Sequence, residues 1–162
     1  MIVHLGAKPV FVDVKDDQNI NEDLIEKKIT NRTKAIMPVH LTGRMCNMEK
    51  ITKISKKYKI PVIEDSAQAI MSTYLKKQSG SYGDFGCFSA HPLKNLHALG
   101  DSGYLTTNSR DAYELLTDLR THGMKNRNIV KKFGYVSRMD HLQAAILNFR
   151  LKQACNLQNW KR

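Results

Sequence analysis

Disulfide chemistry is the first thing this sequence does without. Its 162 residues include three cysteines, Cys46, Cys87 and Cys155. They are far apart, odd in number and form no C-x-x-C pair, which excludes a disulfide framework and a structural zinc site and points to a reducing compartment. The six histidines include no helical H-x-x-x-H pair, so no metal site is expected, although His91 and His97 are close enough in sequence to approach each other. No apolar stretch approaches the length of a membrane span. The opening MIVHLGAKPV has neither the basic region nor the apolar core of a secretion signal. There is no internal repeat and no low-complexity linker. These absences predict a cytoplasmic protein with no membrane partner.

What is present is an ordinary core and an excess of positive charge. Hydrophobic residues make up 41% and charged residues 25% of the chain, and the net charge is +11. That length and balance suit one domain with a real core. The positive charge is dispersed: KITKISKKYK, residues 50–59, places lysines around a helix whose isoleucines, Ile51 and Ile54, recur at helical spacing. Such lysines form a solvated face. With no zinc-finger spacing and no aromatic-studded basic strand, no nucleic-acid partner is expected.

Strand and helix signals alternate along the chain. KPVFVDV (8–14), KAIMPVH (34–40), IPVIED (60–65), FGCFS (85–89) and GYLTTN (103–108) read as strands, being short and rich in β-branched and aromatic residues. NEDLIEKKI (21–29) reads as a helix with Asn21 as N-cap and acids in its first turn. Asn47 caps a second predicted helix running to about Tyr58. SRDAYELLTDLRTHG (109–123) is a third, with Gly123 as its stop signal. Residues 138–160 form a long fourth, with apolar residues on more than one face: Leu142, Ala145, Ile146, Phe149 and Trp160. The alternation predicts an α/β fold with a mostly parallel sheet flanked by helices. The chain opens on what reads as a helix tail, Met1 to Leu5 closed by Gly6, and stops in or just after a long helix, so a fragment of a longer protein is expected.

In open α/β sheets, ligands sit beyond the carboxyl ends of the strands. IPVIED delivers Glu64 and Asp65 there, followed by Ser66, Ala67 and Gln68; FGCFS delivers Ser89, with Lys94 five residues on. Lys94 stands apart from the clustered lysines, such as Lys56-Lys57 and Lys131-Lys132. Each residue alone also fits a plain role: Asp65 as a strand-end cap, Ser89 as a turn former, Gln68 as a loop tie, Lys94 as a surface cation. His91 fits a packing or capping role. His40, after the second strand, either faces the site or makes a structural hydrogen bond. Together, a carboxylate, a hydroxyl and a lysine on one edge are the set that pyridoxal 5'-phosphate needs. The lysine carries the cofactor and later moves a proton as a neutral amine, the acid pairs with the pyridine nitrogen, and hydroxyl and backbone donors hold the phosphate.

The motifs PVIEDSAQA, GSYGDFGCFSAHPLKNLHALGDSGYLTTN and SRMDHLQAAIL, with GAKPVFVDV, ITNRTKAIMPVHLTG and CNMEKI in order, resemble the sugar aminotransferases of the DegT/DnrJ/EryC1/StrS group, which are fold-type I pyridoxal-phosphate enzymes. The likeness covers nearly the whole chain. It implies part of an aspartate aminotransferase-like large domain, incomplete at both ends: an N-terminal phosphate loop would precede residues 1–162 and a small C-terminal domain would follow. It implies that Lys94 is the cofactor lysine, Asp65 the pyridinium partner, Gln68 a residue packing near the ring and its phenolic oxygen, and Ser89 a phosphate contact. The reaction implied is transfer of an amino group, usually from glutamate, to a keto group of a nucleotide-linked sugar, by a homodimer with active sites at the subunit interface, in amino-sugar or cell-surface polysaccharide biosynthesis. Members of the group with histidine at the lysine position are sugar dehydratases, so Lys94 favours transamination over a dehydratase or lyase. A non-catalytic α/β fragment is the remaining alternative, and the isolated chain is expected to be inactive. One departure is Val136, in Gly134-Tyr135-Val136-Ser137-Arg138, where the group usually has an asparagine donated across the dimer to the phosphate. Valine cannot make that hydrogen bond.

Overall fold

Three helices of this chain begin at side chains that accept from the free N–H groups of their first turn. A computed structural model describes residues 1–160, with side chains described for residues 1–154. Helix α1, Glu22–Ile25, is capped by Asn21, which accepts from Asp23 N, and continues as a 3-10 turn over Glu26–Lys28. Helix α2, Met48–Tyr58, starts at Asn47, whose side chain accepts from Lys50 N. Both caps are as the sequence predicts. Met48, Ile51 and Ile54 of α2 are buried, and its lysines lie on the opposite side.

Three strands build the central sheet. Strand β1 is Ile63–Asp65, and a small hairpin follows, β2 (Thr73–Tyr74) against β3 (Lys77–Gln78). Strand β4 is Phe85–Ser89 and β5 is Gly103–Thr106. The order is β1-β4-β5; β1 and β4 are parallel and β5 is antiparallel to β4. Residues 34–40 extend the parallel part through bridges at Ile36 to Val62 and Val39 to Asp65. The sheet is thus mixed: parallel on one side, with an antiparallel strand on the other. Residues 8–14 differ from expectation, with a bridge at Val14 to Ile20 and no strand among them. Phe11 is 85% exposed, so this apolar run lacks the neighbour against which a strand would form.

Helix α3, Arg110–Leu119, is capped by Ser109, accepting from Ala112 N. It ends four residues before Gly123, which has a φ of +73° and donates its N–H to Asp118 O. A second hairpin follows, β6 (Met124–Asn126) against β7 (Ile129–Val130), and α4 spans His141–Trp160. The expected exposure of part of α4 holds for Leu142 and Phe149, while Leu147 is buried; the side chain of Trp160 lies outside the described residues.

The two faces of the sheet differ. Register places Glu64 beside Gly86 and Phe88 beside Tyr104 on one face, and Asp65 beside Cys87 on the other. The first face is filled: Ile25, Ile36, Met48, Ile51, Ile54 and Val62 form one core, and the Phe88 and Tyr104 rings stack at 4.8 Å. The second face is open, with Met37, Val39 and Leu105 exposed. Close approach on the filled side requires glycine. A Cβ on Gly86 would lie 2.5 Å from Thr106 Oγ1 and 2.8 Å from Gly80 O.

Candidate active site

The carboxyl ends of β1 and β4 bring three of the four predicted site residues to one edge. Asp65 is the last residue of β1 and pairs with Cys87; Ser89 is two residues further along β4 and therefore on the same face. Gln68 follows in the turn after β1. Its Oε1 accepts from Thr42 N at 2.7 Å, tying that turn to the end of the 34–40 segment. His40 N donates to Asp65 O at 3.0 Å and Asp65 N to Pro38 O at 2.9 Å, so the backbone of Asp65 is held from one side.

Lys94 lies in the loop that leaves β4 and returns as β5. Ala90 N donates to Ser102 O, Ala98 N to Ala90 O and Lys94 N to His91 O, at 2.8–2.9 Å. Ala90, Leu96 and Ala98 are buried and pack with Leu147 of α4. The loop is therefore a folded turn. His91 turns inward on its own loop: its N–H donates to Ser89 Oγ, its Nδ1 accepts from Leu93 N, and its Nε2 faces Asp101 Oδ1 at 3.7 Å. His97 Nδ1 donates to Lys94 O at 2.9 Å.

The side chains at this edge keep unused bonding capacity. Asp65 Oδ1 accepts from Ala67 N, and the other carboxylate oxygen has no partner among the described residues. Gln68 uses its oxygen and keeps its amide N–H groups. Ser89 Oγ accepts one bond and keeps its O–H to donate. The Lys94 ammonium has no partner among the described residues. Ser66 and Ser102, both next to the site in sequence, have buried hydroxyls without a partner among the described residues. A carboxylate, an amide and a hydroxyl with unused hydrogen-bonding capacity at one edge, and an amine on the loop that leaves β4, are groups that suit a charged heteroaromatic phosphate. Between Asp65 and Ser89, burial pushes the Cys87 thiol up, with Asp65 and Glu64 adding to it.

Two strand-end residues do something else. Glu64 is fully buried on the filled face: Oε1 accepts from Tyr82 N and Gly83 N, and Oε2 from Gly80 N and His40 Nε2, at 2.6–2.9 Å. Burial alone would push its pKa up, but these donors outweigh it and hold the carboxyl below the ordinary range. His40 thus takes the structural option, on the side away from Asp65. Val136 is exposed, and its segment is bonded to the end of α3 through Tyr135 N to Leu119 O and Ser137 N to Arg120 O. Reading the sequence did not single out Gln143 or Arg150 of α4. Gln143 Oε1 accepts from Leu99 N at 2.8 Å and Arg150 Nη1 donates to His97 O at 2.6 Å. Their only signal was seven-residue spacing on a helix face.

The family profile described as "DegT/DnrJ/EryC1/StrS aminotransferase family" matches residues 1–162. A dTDP-3-amino-3,6-dideoxy-alpha-D-galactopyranose transaminase of Aneurinibacillus thermoaerophilus is 51% identical over 149 residues, which is 90% of this chain and 40% of that protein. Among solved structures, Helicobacter pylori PseC, an aminotransferase of pseudoaminic acid biosynthesis, superposes with a TM-score of 0.90 at 32% identity, covering 94% of this chain and 42% of its own. The PLP form of the putative sugar aminotransferase Spr1654 of Streptococcus pneumoniae superposes with a TM-score of 0.85 at 29% identity, covering 94% and 45%. The chain spans 40–43% of the length of the first curated relatives it matches.

Proposed function

Because the chain belongs to the DegT/DnrJ/EryC1/StrS aminotransferase family, we propose that its protein moves an amino group from glutamate to a keto group of a nucleotide-linked sugar, with pyridoxal 5'-phosphate held at Lys94. The observation that carries this reading is the shared edge: Asp65 and Ser89 on one face of adjacent parallel strands, with Lys94, whose side chain has no partner among the described residues, on the loop between β4 and β5.

When bound, the cofactor supplies an electron-accepting ring for the carbon that gains or loses the amine. The Asp65 carboxylate would hold a proton on the ring nitrogen. The Ser89 O–H would donate to the phosphate, and the Gln68 amide would donate at the ring's oxygen edge. The Lys94 amine would hold the cofactor covalently and, as a neutral amine, would serve as the base that carries the substrate proton. Lysine can do this because its amine is able to lose its proton, whereas a guanidinium stays charged. The exposed sheet face and the glutamate donor fit a homodimeric cytoplasmic enzyme of amino-sugar or polysaccharide biosynthesis. Among the described residues no helix is long and apolar enough to cross a membrane.

The test uses the full-length protein. Borohydride added to the loaded enzyme should fix the cofactor on the peptide containing Lys94, and Lys94→Ala should lose both that label and 2-oxoglutarate formation from glutamate with keto-sugar nucleotides. Substantial turnover in Lys94→Ala, or label on another lysine, overturns the assignment.

A further inference from the structure

We propose that one face of α4 sets the reach of Lys94, with Arg150 as a positioning residue acting through His97; this rests on the reading of Lys94 as the cofactor lysine. Gln143, Leu147 and Arg150 are spaced i, i+4 and i+7 and share a helix face. Each meets the lysine loop at a different point. Gln143 takes the Leu99 N–H, Leu147 is buried against Ala90, Leu96 and Ala98, and Arg150 donates to His97 O.

The Arg150 bond is the strongest of these by kind, because a charged donor meets a carbonyl in partly buried surroundings. It fixes the backbone of His97, whose ring in turn donates to Lys94 O. Lys94 N is already bound to His91 O. Both polar backbone groups of Lys94 are therefore occupied, while its side-chain nitrogen has no partner among the described residues. A fixed backbone beneath an uncommitted side-chain nitrogen suits an amine that must reach one carbon and then withdraw. A displacement of about 1 Å at such a group costs roughly a hundredfold in rate.

The test compares the full-length protein with Arg150→Met, which keeps the apolar stem, and Arg150→Lys, which restores a charged donor. Two readouts are taken on cofactor-free protein: hydrogen exchange of the segment 94–99, and the rate at which pyridoxal phosphate is captured at Lys94, trapped by borohydride and located by mass spectrometry. Arg150→Met is expected to speed exchange and slow capture by at least about tenfold, with partial recovery in Arg150→Lys. Exchange and capture at the wild-type rates in Arg150→Met would falsify the proposal. Should that variant fail to fold, Gln143→Leu, which removes the tie at Leu99, decides by the same two rates. If pyridoxal phosphate does not attach to Lys94 in the wild type, the reading of the site falls, and the exchange rates alone decide whether α4 holds the loop.

Discussion

Asp65 and Glu64 are consecutive carboxylates with opposite fates, and each yields a prediction. Asp65 faces the open side, with one oxygen unpartnered among the described residues. Asp65→Asn keeps the shape and removes the charge, so cofactor is expected to remain bound, seen by its absorbance, while the rate of substrate proton removal falls about 10²–10³-fold. A normal rate in single-turnover measurements would assign the strand-end acid to another task. Glu64 accepts two donors on each oxygen. In Glu64→Gln, either orientation of the amide sets its N–H groups against backbone donors, and the loss should be about 3 kcal/mol in urea unfolding. The lowered pKa of Glu64 has a sign as well. Glu64 stabilises the fold above its unfolded value of about 4.3, and this contribution disappears as pH falls through the lower folded value. The Glu64→Gln variant should lack that part of the acid transition. Sequence placed both residues at the same strand end. Alternation along a strand sends them to opposite faces, but only the covering of one face by α2 decides which acid is buried.

At the scale of elements, local chemistry was legible and tertiary pairing was not. The caps Asn21, Asn47 and Ser109 sit where hydrogen-bonding side chains precede a helical run, and α2 begins one residue after Asn47. The 85–89 strand matches its reading because its alternation faces a full core on one side. The 8–14 segment has comparable composition but no paired strand partner, and composition does not supply one. Both hairpins escaped notice because their strands have two or three residues and carry little pattern. The caps differ in a testable way. Asn47 accepts from Lys50 N and Tyr74 Oη and donates to Glu22 Oε1, joining α1, α2 and β2, whereas the Ser109 bond serves α3 alone. Ser109→Ala should cost about 1 kcal/mol, and Asn47→Ala about 2 kcal/mol or more, in urea unfolding. Equal losses would show that the inter-element bonds contribute nothing.

For the whole molecule, the decisive feature is a sheet covered on one side. Met37, Val39 and Leu105 are 41%, 44% and 52% exposed on the face that carries Asp65, and Phe133, three residues after β7, is fully exposed. Exposed apolar side chains in this number favour association in water. Residues 1–162 expressed alone are expected to show light scattering that rises with concentration and no steady formation of 2-oxoglutarate above a cofactor-only control. Steady turnover would show that this segment suffices. The family likeness was readable because its motifs run in fixed order through the chain, whereas the contacts that hold Lys94 in place join residues far apart in sequence.

That separation has a consequence in time. Arg150 lies 53 residues after the carbonyl it binds, that of His97. Translation at about 5–20 residues per second therefore makes the lysine loop roughly 3–11 s before the helix that grips it. During this interval β4 and β5 are already synthesised, and the loop between them has its own internal bonds but none of the ties from Gln143, Leu147 and Arg150. Cofactor capture by a nascent chain should accordingly be slow while α4 is unmade, and the last step in maturing the site is the arrival of a helix that carries none of its chemistry.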